Sequence, residues 1–119
     1  MLDFRNIDIW KRSHQLTLDI YKATQQFPKE EIFGLTSQIR RAVSSIPTNI
    51  AEGCGRRTNA ELANFLNIAS GSASEVEYEL LLAKGLGYVT AEQCDVWMQE
   101  ISAIRSMLAA YMKRLKSEH

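Results

Sequence analysis

The chain has 119 residues and a mass of 13.5 kDa, which fits a single domain over residues 1–119 whose core needs neither metals nor disulfides. Its 14 basic and 14 acidic residues give a net charge of zero, which argues against a surface that coats nucleic acid throughout and leaves only a local basic patch open. An apolar content of 45%, with only two prolines and six glycines, excludes a disordered tail and a many-stranded barrel, so helices are expected.

The first half of the chain predicts two amphipathic helices. Apolar side chains recur at three-and-four spacing over residues 8–26, and Pro28 closes this segment. A second apolar stripe covers residues 35–52 and contains Pro47. Because a proline lacks the backbone donor and clashes with the carbonyl of Val43, we expect this helix to kink at Pro47 or to start afresh there.

The second half predicts two more helices, over residues 59–86 and 91–116. The first begins at a capping box in which the Thr58 hydroxyl accepts from the Glu61 amide and the Glu61 carboxylate reaches back to the Thr58 amide. Thr90 opens a second box of the same kind. Both helices therefore have a start signal in the sequence.

Short connections between the four segments predict antiparallel neighbours and hence an all-α, up-down-up-down four-helix bundle. Between the second and third helices, Gly53 and Gly55 indicate a helix stop because glycine tolerates positive φ. Residues 1–6 are expected to form an ordered arm, since Phe4 and Ile7 offer apolar side chains to bury.

No motif for catalysis or metal binding emerges from the sequence. Cys54 and Cys94 lack metal-ligand spacing and are expected to be plain thiols, while His14 and His119 lack the Glu-x-x-His pairing of di-iron bundles. We therefore expect that the protein is not an enzyme and that it binds neither a metal nor a cofactor. The chain contains no run of about 18 apolar residues and no N-terminal targeting pattern, so we expect a cytoplasmic protein without a membrane partner.

A polar stripe follows the second helix directly beside its apolar face, and its members are Gln38, Arg41, Ser45, Asn49 and Glu52. One interpretation is a solvated flank of an amphipathic helix. The other is a buried network in which Arg41 and Asn49 meet a facing polar row on the third helix, made of Ser72, Glu75 and Glu79. An arginine held by two carboxylates there sets the helix register more than it adds stability.

Basic residues are concentrated in the first half, where residues 1–60 hold nine basic and six acidic groups. The side chains that we single out as candidates for phosphate contact are Lys11, Arg12, Arg40, Arg56 and Arg57. Another basic pair, Lys113 and Arg114, lies near the C-terminus. Unless these groups cluster in space, they are merely parts of solvated faces.

Two motifs carry a family resemblance: GLTSQIRRA at residues 34–42 and SIPTNIAEG at residues 45–53. Together with shorter matches at 8–10, 27–28, 71–75 and 86–88, they make the chain similar to the bacterial four-helix-bundle proteins encoded in intervening sequences of 23S rRNA genes. The resemblance implies a closed homopentamer without catalytic activity. A related branch, the accessory protein of diversity-generating retroelements, is strongly basic and binds nucleic acid, whereas this chain has a net charge of zero.

The expected function is therefore a homo-oligomeric binding or scaffold protein, with RNA or DNA as one candidate partner. The alternative is an adaptor that binds another protein and makes no nucleic-acid contact. Tyr78 and Leu82 lie off the main apolar stripe of the third helix, so they provide surplus apolar surface for a subunit interface.

Overall fold

The computed structural model describes residues 2–118, so Met1 of the predicted arm and His119 lie outside the described residues. The four helices are α1 (Asp8–Ala23), α2 (Leu35–Cys54), α3 (Asn59–Gly85) and α4 (Ala91–Ser117). Single 3-10 turns occupy Phe4–Asn6, Thr24–Gln26 and Lys29–Glu31. Every helix end lies within three residues of its predicted position, and the all-α prediction is confirmed.

The four helices pack as the sides of a square, with α1 and α3 each contacting both α2 and α4. At one end of the bundle, the Leu2 amide donates to the Cys54 carbonyl at the end of α2 (3.1 Å). At the other, the Tyr88 hydroxyl donates to the Glu31 carboxylate (2.9 Å), which joins the α3–α4 and α1–α2 connections. These contacts confirm the antiparallel up-down-up-down arrangement, which measures 47 × 22 × 20 Å.

The core consists of aliphatic side chains that all four helices contribute at the predicted spacing. The largest side chains with almost no exposed surface are Leu16, Ile20, Ile39, Val43, Ile46, Ile50, Leu66, Val76, Leu80, Ile101, Ile104 and Leu108. Burial of this kind contributes about 25 cal/mol per Å² of apolar surface and is the main force that holds the helices together. None of the helices within residues 2–118 combines the length and the apolar character needed to cross a membrane.

The predicted capping boxes start α3 and α4. The Glu61 amide donates to Thr58 Oγ1 (3.1 Å), and the Gln93 amide donates to Thr90 Oγ1 (3.1 Å). One detail differs from the prediction, because the Glu61 carboxylate accepts from the Thr58 hydroxyl (3.1 Å) and not from the Thr58 amide. Each cap satisfies a backbone donor that a helix start otherwise leaves without an acceptor.

Helix α2 continues through Pro47 without starting afresh. The proline has no amide hydrogen for the carbonyl of Val43, four residues earlier. Thr17 on α1 compensates, because its hydroxyl lies 3.1 Å from the Val43 carbonyl oxygen and 2.7 Å from that of Ser13. Its single proton is thus shared between an acceptor on its own helix and one on α2.

The predicted helix stop at Gly53 is wrong, because α2 includes Gly53 and ends at Cys54. Gly53 is needed for a close approach between helices instead. A Cβ atom at this position would lie 2.8 Å from Leu62 Cδ1 and 3.0 Å from Phe65 Cβ, both on α3. Gly55 caps the helix with a φ of −84°, so no left-handed conformation is required at either glycine.

The N-terminal arm is ordered over its described part, as predicted. Phe4 packs edge-on against Trp10, with ring centroids 4.9 Å apart, and Trp10 stacks on His14 at 4.8 Å. The two cysteines, Cys54 and Cys94, are both buried free thiols, and Cys94 Sγ donates to the Leu80 carbonyl oxygen (3.8 Å). Burial raises the pKa of the Cys54 thiol, which keeps it protonated and unreactive at neutral pH.

Candidate functional surfaces

Two of the five basic candidates are held by partners within the chain. Arg12 forms a bidentate ion pair with Glu100 on α4, with nitrogen–oxygen distances of 2.7 and 2.9 Å. This pair lowers the pKa of Glu100 and ties α1 to α4. Arg40 donates to the Thr24 hydroxyl (2.8 Å) and to the Tyr21 carbonyl (3.1 Å), and it lies over the Tyr21 ring. Both guanidinium groups therefore have structural roles that the sequence did not indicate.

The basic candidates do not form one patch. Arg40 lies in the second turn of α2, whereas Arg56 and Arg57 follow its C-terminus, roughly 24 Å further along the helix axis. Lys11 is exposed and makes no ion pair with any other residue in the range 2–118. The structure thus separates the five residues into Lys11 and Arg12 on α1, Arg40 near the start of α2, and Arg56 and Arg57 just beyond its end.

Arg56 and Arg57 are joined by a third arginine from α4. Together with Arg114 they line a surface cavity of about 340 Å³, beside the first residues of α3. The sequence contained Arg114 as part of a basic pair, but no local pattern connects it with a loop that lies almost sixty residues earlier. Only the antiparallel packing of α4 brings it to the α2–α3 connection.

Part of the predicted polar network exists at the α2–α3 contact. The hydroxyl groups of Ser45 and Ser72 are 2.8 Å apart and share a hydrogen bond between the two helices. Asn49 donates through Nδ2 to the carbonyl oxygen (2.8 Å) and the hydroxyl (2.9 Å) of Ser45. These three half-buried or buried side chains fix the position of α2 against α3.

The predicted ionic part of that network is absent. Arg41 is exposed and forms no salt bridge with Glu75 or Glu79, the two acidic residues of the facing row. The reason is geometric, since a long arginine side chain at the edge of a helix can extend into water. Gln38 and Glu52 are also exposed, so at these positions the solvated-flank interpretation applies.

Glu79 is the one buried charged residue among residues 2–118, with 5% of its surface exposed. Its Oε1 atom has no hydrogen-bond partner in the described part of the chain. Burial, reinforced by the neighbouring Glu75 carboxylate and opposed by Arg41, raises the pKa of Glu79 to about 7. A carboxyl group in this environment favours its neutral form.

An exposed face of α3 lacks charge over more than three turns. No charged residue occurs between Leu62 and Ser74, although this stretch includes exposed positions such as Asn64, Asn67 and Gly71. Ile68, Tyr78 and Leu81 on this helix expose 51%, 62% and 51% of their surface. We call the exposed side of residues 64–81 the α3 face, and its one exposed charged residue is Glu75, beyond the uncharged stretch. A helix face that stays in water normally carries charged side chains, so this composition is unusual for a solvated surface.

No arrangement for catalysis is found in the described residues. A cavity of about 810 Å³ is an open groove between α1 and α4 that the Arg12–Glu100 ion pair lines. Within residues 2–118, no three His, Cys, Asp or Glu side chains are grouped so that they could hold a metal ion.

The comparisons with known proteins agree with this architecture. The sequence model of the 23S rRNA-intervening sequence protein family matches residues 5–110. A crystal structure from Bacteroides thetaiotaomicron, described as a protein with unknown function from the S23 ribosomal protein family, is 30% identical and superimposes with a TM-score of 0.79. The match covers 88% of this chain and 98% of that one. None of the curated proteins matches. The chain therefore belongs to the 23S rRNA-intervening sequence protein family.

Proposed function

We propose that this protein is a non-catalytic, self-assembling scaffold whose copies associate through the α3 face. The observation that carries the proposal is the charge-poor, partly apolar surface around Ile68, Tyr78 and Leu81, on which Glu75 is the one exposed charged residue. Covering it removes apolar groups from water and requires few charged side chains to lose their solvent, which is typical of the centre of an interface between identical subunits.

A second copy of the chain is the occupant that best fits this face. Identical chains with a net charge of zero do not repel one another, and small residues such as Gly71 and Ser74 let two helices approach closely. The homopentamer implied by the family resemblance requires an interface that every subunit repeats, and the α3 face supplies one surface for it.

Light scattering combined with size-exclusion chromatography tests the assembly. We expect the native chain to have a mass that is a multiple of 13.5 kDa, fivefold for a homopentamer. Tyr78→Glu replaces the most exposed apolar side chain of the α3 face with a charge and is expected to yield monomers. Val96→Glu is the matched control, because Val96 is 59% exposed on α4 and lies outside this face. A native chain that is monomeric at micromolar concentration overturns the proposal, and assembly that survives Tyr78→Glu rules out this face.

Nucleic-acid contact is a second candidate function, favoured by the arginines at the α2–α3 end of the bundle. A closed ring would repeat Arg56, Arg57 and Arg114 once per subunit, so a local positive region would recur although the total charge is zero. We expect retardation of RNA or DNA on a native gel at low salt, weakening steeply as salt is added. If no retardation occurs at low salt, the protein-binding adaptor becomes the better interpretation.

A further inference from the structure

The cavity between Arg56, Arg57 and Arg114 combines several groups that suit an anion. Besides the three arginines, its lining includes Thr58 and Asn59 at the N-terminus of α3. The backbone amides of Asn59 and Ala60, in the first turn of α3, have no acceptor among residues 2–118. A 27-residue helix thus presents unpaired N–H donors and the positive end of its dipole beside the arginine side chains.

Two of the guanidinium groups are held in place by aromatic rings and not by strong ion pairs. Arg56 lies 4.8 Å from the centroid of Phe65, and Arg114 lies 4.7 Å from that of Tyr111. Stacking of this kind orients a guanidinium while its N–H donors stay available at the edge. The Arg56 ion pair with Glu52 is long, at 3.8 Å, and half-exposed, so it neutralises little of the charge.

The remaining groups leave an excess of positive charge at the cavity. Arg57 is exposed and makes no hydrogen bond, ion pair or ring contact with the rest of the described chain. Glu118 is the only carboxylate in the lining, opposite three arginines, while Glu61 is occupied by its bond to the Thr58 hydroxyl. An anion with several oxygens in a tetrahedral arrangement can accept from the arginines and from the α3 amides at the same time.

We propose that this cavity binds a phosphate group, with Arg57 and Arg114 as its main ligands and the first amides of α3 completing the contact. The volume of about 340 Å³ accommodates a phosphate with an attached sugar, at the small end of the range for ligand sites. We assign the phosphate to a nucleic-acid backbone, and this assignment rests on the nucleic-acid part of the proposed function. A free phosphate compound has the same chemistry and is distinguished by the test.

The test compares two double variants with equal loss of charge. Arg57→Gln with Arg114→Gln removes two guanidinium groups from the cavity, whereas Lys22→Gln with Lys29→Gln removes two charges from the opposite end of the bundle. Binding of a single-stranded RNA is measured by gel retardation. Binding of inorganic phosphate alone is measured by the linewidth of its phosphorus NMR signal, which broadens on contact with a slowly tumbling protein. Circular dichroism verifies that both variants fold.

We expect the arginine variant to lose RNA affinity by about tenfold or more while the lysine variant stays near the native value. Glu118→Gln removes the competing carboxylate and is expected to tighten binding. If the two double variants bind RNA equally, the cavity assignment is overturned although nucleic-acid contact stands. A third outcome is that RNA does not bind, while the phosphorus signal of inorganic phosphate broadens with the native chain but not with the arginine variant. The phosphate site is then supported and the nucleic-acid function fails. Absence of both effects overturns the proposal.

Discussion

Replacing Glu79 with Gln removes a buried carboxyl group whose proton is held unusually firmly. Burial raises its pKa from 4.5 to about 7. At 1.36 kcal/mol per pH unit, this difference corresponds to roughly 3 kcal/mol of unfolding free energy. Because the folded state binds the proton more tightly than the unfolded state, this contribution is fully present below about pH 4.5 and is lost as the pH rises to about 7.

The assay is urea denaturation of the native chain and the Glu79→Gln variant from pH 5 to pH 8. We expect the variant to gain stability relative to the native chain as the pH rises, by up to roughly 3 kcal/mol. The difference between the two proteins is the relevant quantity, since all other titrating groups contribute equally to both. The solution mass is checked at each pH so that assembly does not contribute.

Two neighbouring substitutions change this pH dependence in opposite directions. Glu75→Gln removes a negative charge that raises the pKa of Glu79. This variant should therefore show a smaller change in unfolding free energy between pH 5 and pH 8. Arg41→Gln removes a positive charge that lowers the pKa of Glu79. This variant should therefore show a larger change in unfolding free energy between pH 5 and pH 8. A native-to-variant difference that is constant from pH 5 to pH 8 would refute the reasoning that burial controls this group.

Two further predictions concern α2. Thr17→Val should cost about 1 kcal/mol of unfolding free energy, because the hydroxyl no longer donates to the carbonyl that Pro47 leaves unpaired. In the Pro47→Ala background, residue 47 has its own amide donor for the Val43 carbonyl. A double-mutant cycle should therefore show that Thr17→Val costs little in that background. An unchanged cost contradicts the role of Thr17 as the replacement donor. Gly53→Ala should destabilise by about 1–3 kcal/mol because its Cβ collides with α3. Gly85→Ala, which meets open space, is the control and should be neutral or slightly stabilising in thermal melts.

The helices could be predicted from the sequence because their signals are local. Thr58 and Thr90 mark two helix starts by their own hydrogen bonds, and the apolar spacing identifies the buried face of each helix. Pro47 also indicated which carbonyl would lose its donor. The sequence did not indicate Thr17 as the replacement donor, because that contact joins residues on two different helices.

The candidate sites were harder to predict because they depend on side-chain direction and on tertiary packing. The spacing of Arg41 places it beside the acidic row of α3, yet its side chain extends into solvent. Gly53 was interpreted as a helix stop because glycine is common at helix ends. Its actual role, to let α3 approach α2 closely, depends on a neighbouring helix that the local sequence does not show. Arg114 joins Arg56 only through the antiparallel packing of α4, so no linear motif contains this cluster.

The Thr17 contact has a consequence for the order of folding. A peptide that contains only residues 35–54 lacks the donor for the Val43 carbonyl, and a helix that includes proline is unfavourable by about 3 kcal/mol relative to alanine. The second half of α2 thus becomes helical in concert with the docking of α1. This places the first half of the chain in one cooperative unit, in which α2 is not complete before α1 docks.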